Sequence, residues 1–167
     1  MLFRSLQTAV SSAANQLRSR RTTLTDSTHA DRKKAFESLR IHDLAAELDL
    51  RLQPKSGAFT LTLQSEDGAP WAAISCANKS NARELRINHI VAPLAGTASS
   101  PVHLHMYLDG SVLEIFANET TSVTARIYRT ASGPLRLILA SDVEVLSLDA
   151  WQMTPISTNR LTSPWCA

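Results

Sequence analysis

The sequence predicts an all-β protein in which two antiparallel sheets pack face to face, and three observations carry that expectation. From Ala45 onward the apolar residues recur with a period of two rather than 3.6. Short runs of this kind follow one another at regular spacing, each bounded by Gly, Pro, Asn, Asp or Ser, the pattern of a many-stranded sandwich or barrel. Asp109-Gly110 separates two strongly apolar runs, Val102 to Leu108 and Val112 to Phe116, and both turn residues tolerate the positive φ of a tight hairpin.

Taken in order, the first 40 residues are the least regular. Leu6, Val10, Ala13, Ala14 and Leu17 recur at roughly helical spacing, which gives a short amphipathic helix or a linker over 1–19. Arg21 to Thr25 is β-prone, and 20–155 is read as the sandwich, with 156–167 as a tail. The segment His29 to Leu48 is ambiguous: Ala35, Leu39 and His42 fit a helix, whereas Phe36 to Ile41 suits a strand. Beyond it Leu48, Leu50 and Leu52 alternate with Asp49, Arg51 and Gln53, and Phe59, Leu61 and Leu63 alternate with Thr60, Thr62 and Gln64. Pro54, Ser56 and Gly57 mark the turn between these two strands. Further strands are expected at 70–76, 84–91, 101–109, 111–117, 122–129, 134–140 and 143–151.

Bulk properties exclude several function classes. A chain of 167 residues fits one domain, which buries roughly 70% of the surface exposed by its unfolded form. No apolar run approaches the ~20 residues of a membrane span. Formal net charge is +2, and the basic clusters Arg18, Arg20, Arg21 and Arg32, Lys33, Lys34 read as solvated surface, so nucleic acid and membrane are not expected partners. Cys76 and Cys166 make no metal pattern and allow at most one bridge. Asn78-Lys79-Ser80 and Asn118-Glu119-Thr120 are glycan-acceptor triplets, relevant only in a secreted eukaryotic protein. The acid-free, Arg- and Ser-rich first 25 residues also fit a transit peptide, ranked below a linker, and the cell compartment stays open.

Chemistry-bearing residues concentrate on the hairpin. Val102, Leu104, Met106 and Leu108 share one strand face, and His103, His105 and Tyr107 share the other. His103 and His105 would bind a metal only with a third ligand, for which His89 is a loose candidate; ordinary surface histidines are the expectation, with no metal and no cofactor. Asp109 and Glu114 are the nearest acids, yet Asp109 opens a turn and Glu114 shares a strand face with Val112 and Phe116, so structural roles are expected for both. Neither Gly-x-Ser-x-Gly nor Gly-x-x-x-x-Gly-Lys occurs. Trp71, Trp151 and Trp165 could stack on sugars, although Trp71 and Trp151 sit in apolar patterns that suit core packing.

The stretch Leu104-His105-Met106-Tyr107-Leu108-Asp109-Gly110-Ser111-Val112-Leu113-Glu114-Ile115-Phe116-Ala117-Asn118 resembles the signature strand pair of the C-terminal β-sandwich of glycoside hydrolase family 32, the invertases, levanases and inulinases. Ser122 to Tyr128 resembles the strand that follows it there. Phe36 to Arg40 before Leu48 to Leu52, and Gln16 to Arg18 before Arg21 to Leu24, resemble the approach from the end of the catalytic propeller. The resemblance implies a jelly-roll or concanavalin-like sandwich and favours a strand for the ambiguous segment. In that family catalysis belongs to a five-bladed propeller with Asn-Asp-Pro-type, Arg-Asp-Pro and Glu-Cys motifs. Asp-Pro is absent here, Cys76 follows Ser75 and Cys166 follows Trp165, so no residue is expected to be catalytic.

The resemblance therefore implies a non-catalytic accessory module whose partner is a catalytic propeller, in cis or in trans, with a homodimer as a further assembly. The chain begins where that propeller would end, which fits a gene fragment, a separately encoded module or half of a divided enzyme. Asp109, Gly110, Ser111, Glu114 and Phe116 are its structural signature. The rival reading is a stand-alone carbohydrate-binding module that uses Trp71, His105 or Tyr107.

Overall fold

A computed structural model describes residues 12–23, 28–79, 82–140 and 142–154. After a 3₁₀ turn at Ser12–Leu17, the elements are β1 (Arg18–Thr23), α1 (His29–Ser38), β2 (Ala45–Pro54), β3 (Phe59–Gln64), β4 (Pro70–Lys79), β5 (Ala82–Ile87) and β6 (Ile90–Leu94). They continue with β7 (Val102–Asp109), β8 (Val112–Ala117), β9 (Thr121–Arg126), β10 (Arg136–Ala140) and β11 (Val143–Met153). Two antiparallel sheets result, a six-stranded one in the order β1-β11-β2-β7-β8-β9 and a five-stranded one in the order β10-β3-β4-β5-β6. This is the all-β sandwich expected from the alternation. Segment 1–11, the tail from residue 155, Trp165 and Cys166 lie outside the described residues.

The period-two pattern translates directly into packing. Leu48, Leu50 and Leu52 of β2 and Leu104, Met106 and Leu108 of β7 point inward from one sheet; Phe59, Leu61 and Leu63 of β3, with Ile74, Leu85 and Ile87, meet them from the other. All are buried, and each aliphatic side chain so buried contributes about 1.5–3 kcal/mol. The space between the sheets is filled by these side chains. At one margin Thr121 Oγ1 donates to the Pro93 carbonyl at 2.6 Å and Asn118 Nδ2 to the Ala95 carbonyl at 2.7 Å, which ties β9 to β6. At the other, α1 packs on β11 and β10 and inserts Phe36 into the core.

That helix corrects the strand reading of Phe36 to Ile41, while Ala45 to Leu48 of the same ambiguous segment belong to β2. Thr28 caps it, its Oγ1 accepting from the Asp31 amide at 3.3 Å, with Asp31 in the first turn. The helical spacing of Ala35 and Leu39 prevails over the strand that the family resemblance favours, and of Phe36 to Ile41 only Ile41 pairs, as a single bridge to Leu135. The stretch 84–91 is likewise two strands, because Asn88 turns with φ 51° and hands its amide to the Ala73 carbonyl at 2.9 Å. At the hairpin, register pairs Asp109 with Val112, so the loop residues are Gly110 and Ser111, one position later than expected. Gly110 supplies the positive φ, 59°, at the first central position, where a II′-like turn needs glycine.

Trp71 is 2% exposed and belongs to the core. Leu63 pairs with Ala72 and Gln64 with Pro70, so Trp71 is the extra residue of a bulge. The bulge explains why Trp71 and Ala72 are both buried, against the alternation. Trp151 departs in the opposite sense: it lies on the outer face of the six-stranded sheet, with the Arg18 guanidinium 4.0 Å and that of Arg21 5.5 Å from its ring centre.

Candidate functional site

The outer face of the six-stranded sheet carries most of the polar chemistry, and strand register sets its order. One row runs Arg21, Trp151, Glu47, Tyr107, Glu114, Thr124 across all six strands; the next runs Thr23, Asp149, Asp49, His105, Phe116, Ser122. Residues directly opposite in such rows have their Cβ atoms ~5 Å apart, close enough for side chains to pair. The alternation that buries Leu48 and Met106 is what turns Glu47, Asp49, His105 and Tyr107 to this side.

Glu47 is the centre of the face, with 0% exposure although it points away from the core. Arg18 Nε donates to its Oε2 at 2.7 Å and Arg18 Nη2 to its Oε1. Tyr107 Oη donates to the same Oε1 at 2.7 Å, and His105 Nε2 lies 2.6 Å from it. Because a carboxylate only accepts, His105 must carry its proton on Nε2 here. Burial pushes the Glu47 carboxyl upward, but hydrogen bonds from Arg18, His105 and Tyr107 outweigh it and hold the group at about 2. Burial first, and the bond to Glu47 second, raise the Tyr107 phenol, so it stays protonated.

A second pair lies beside the first. His103 Nε2 is 2.8 Å from Asp49 Oδ1, and the His103 amide donates to Asn118 Oδ1 at 2.8 Å. Burial opposes ionisation of Asp49, and the His103 hydrogen bond reverses the balance and lowers its carboxyl. Glu47 with His105 and Asp49 with His103 remain two separate pairs. Among the described residues no three His, Cys, Asp or Glu side chains gather as a metal-binding group, and His89 sits in the β5–β6 turn of the opposite sheet.

The candidate sugar contacts are therefore divided. His105 and Tyr107 stack, centroids 5.1 Å apart and planes at 24°, and Phe116 meets Tyr107 edge-on at 6.4 Å. Trp71 is on β4 of the other sheet and faces inward, so no flat ligand reaches it together with Tyr107. The polar edges of His105 and Tyr107 are turned to Glu47 rather than outward. Asp109 is exposed beside Gly110 and Ser111 at the hairpin end, and Glu114, half-buried, pairs across the strands with Tyr107. Arg18 and Glu47 escaped sequence reasoning because they are 29 positions apart. The available signal was that Glu47 continues the outward phase of Asp49 and Arg51.

A closed polar network on one sheet, an aliphatic interior and a tight hairpin at one end define an antiparallel β-sandwich module. The family model described as "Glycosyl hydrolases family 32 C terminal" matches residues 5–152, and the chain belongs to that family. No curated protein sequence matches it significantly. Among solved structures it is similar to sucrose-6-phosphate hydrolase from Lactobacillus gasseri, with 19% identity, a TM-score of 0.58, and coverage of 86% of this chain and 30% of that one. It is also similar to β-fructofuranosidase from Schwanniomyces occidentalis complexed with fructosyl-erythritol, with 10% identity, a TM-score of 0.51, and coverage of 83% and 34%. A galectin from Caenorhabditis elegans aligns at 15% identity and a TM-score of 0.52, over 67% of this chain and 87% of that one. At these identities the likeness is one of fold, and the chain spans about a third of the length of each hydrolase.

Proposed function

We propose that this chain is the non-catalytic accessory module of a β-fructosidase-type glycoside hydrolase, and that it stabilises or completes a separate catalytic propeller acting on sucrose or fructans. The observation that carries this reading is the family match over residues 5–152, joined to a likeness that covers only 30% and 34% of the two hydrolases. Side-chain chemistry supports the same reading. Hydrolysis of a glycosidic bond needs two free carboxyl groups flanking the sugar, whereas Glu47 and Asp49 are committed to Arg18, His105, Tyr107 and His103.

The rival function, a stand-alone carbohydrate-binding module, draws on the stacked His105 and Tyr107 beside Phe116. A sugar bound there would compete with Glu47 for their polar atoms, which makes it the weaker reading.

The test is sugar release from sucrose, inulin and levan by the purified chain, alone and mixed with a family propeller lacking its own sandwich. The accessory role predicts no release alone and restored release in the mixture. Release by the chain alone, abolished by Asp109→Asn or Glu114→Gln, would overturn it.

A further inference from the structure

Strands of an antiparallel sandwich are ordinarily held by an apolar face turned to the core. β1 has no such face. Among the described residues the hydrophobic core begins at Phe36, and of the six β1 side chains five are exposed and Arg18 is half-buried. Polar contacts do the holding. The Thr154 amide donates to the Leu17 carbonyl at 2.8 Å, Ser19 Oγ to the Gln152 carbonyl at 2.8 Å, and Thr23 Oγ1 to Asp149 Oδ1 at 2.6 Å. Arg21 Nη2 donates to the same Asp149 oxygen at 3.0 Å, and Arg18 and Arg21 lie over the Trp151 ring. The ladder to β11 is itself broken by a register shift between Arg18 and Arg21. Each of these bonds replaces one to water, so the net gain from each is small. The strongest contact also carries a cost: closing Arg18 over Glu47 leaves that carboxylate 0% exposed, and stripping its water opposes closure. On opening, Glu47 keeps Tyr107 and His105 beside it. The next element differs, because α1 buries Phe36 in the core, and the polar unit ends before it.

We propose that β1 is a polar latch that opens as a unit while α1 and the other ten strands stay folded, uncovering the Glu47 carboxylate and the Trp151 ring on the outer face of the six-stranded sheet. Contiguous elements with few buried apolar contacts open well below the free energy of global unfolding. The latch responds to ionic strength, because Arg21 and Asp149 pair at the surface with the arginine side chain 57% exposed. What it switches is the character of the sheet face. Closed, the face presents a sealed and fully paired carboxylate; open, it presents an accessible one beside an uncovered indole.

Amide exchange of the full chain, read residue by residue by NMR across a urea series and at two salt concentrations, tests the latch. The β1 amides bonded to β11 should share one rate, at least ~10-fold faster than the amides of β2 and β7, with a weak urea dependence and an increase at higher salt. Arg18→Ala should bring β1 to the rate of an unfolded peptide while α1, β2 and β7 stay protected. Arg21→Ser, a milder change at the surface pair, should raise the β1 rate without reaching that limit, and it keeps the test usable if Arg18→Ala does not fold. Exchange of β1 with the same urea dependence as β2 puts the strand in one cooperative unit with the core and overturns the proposal. Rates graded from residue to residue along β1 mean fraying rather than a latch and overturn it equally, as do β1 rates that salt does not move.

Discussion

Arg18, in the edge strand β1, reaches past Trp151 of β11 and closes the Nε–Nη2 edge of its guanidinium on Glu47 of β2. The carboxylate is thereby sealed, with 0% exposure, on the outward side of a sheet. This clamp joins three neighbouring strands through side chains as well as ladder hydrogen bonds, and it secures β1 at the edge of the sheet.

Removing the arginine should cost more than removing the carboxylate. Arg18→Ala leaves the Glu47 carboxylate, 0% exposed, without its counter-charge, and stranding a buried charge in this way costs about 3–5 kcal/mol. Glu47→Ala leaves Arg18, a quarter exposed, able to turn to water, with His105 and Tyr107 short of an acceptor, and a loss of about 1–3 kcal/mol is expected. Urea unfolding of both variants checks the order.

Acid stability follows from the same residue. The folded-state value of Glu47, about 2, lies below its ordinary 4.5, so the clamp's contribution is fully present above pH 4.5 and is lost as pH falls toward 2. A displacement of this size corresponds to about 3 kcal/mol. The stability of the parent chain should therefore fall through this window, and Glu47→Gln should flatten that part of the curve; an unchanged slope would contradict the assignment. Asp49, also lowered, contributes in the same direction.

Trp71 provides a test of core against ligand roles. Trp71→Ala should cost about 3–5 kcal/mol of stability, because the residue is 2% exposed. Fructan mobility in affinity electrophoresis should not change beyond the effect of partial unfolding.

The hairpin should be sensitive to a single methyl group. Gly110 has φ 59°, and Gly110→Ala places a Cβ in the left-handed region at a cost of about 1 kcal/mol. Thermal unfolding reads the loss; Ser111→Ala, at the neighbouring loop position, should be close to neutral.

The strands of this fold were legible wherever one face met the core and the other met water, as in β2, β3, β7 and β8, because burial imposes the alternation directly. Reading failed where a local interaction overrode it. The Thr28 cap starts a helix where the family resemblance favours a strand. The Trp71 bulge put two successive residues inside, and Asn88 turned the chain within an apolar run. Trp151 was read as core because it stands among apolar residues, whereas its ring is covered by Arg18 and Arg21 from another strand. His103 and His105 were visible as a pair on one face, but their carboxylate partners come from β2, more than 50 positions away, and pairing across strands is not encoded in local spacing.

The central claim is that the module serves a catalytic domain, and the most direct measurement is the half-life at elevated temperature of a family propeller stripped of its own sandwich, with and without a molar excess of this chain. The account predicts a longer half-life, by mass action, that rises with chain concentration and saturates. A half-life independent of the chain at every concentration would contradict it.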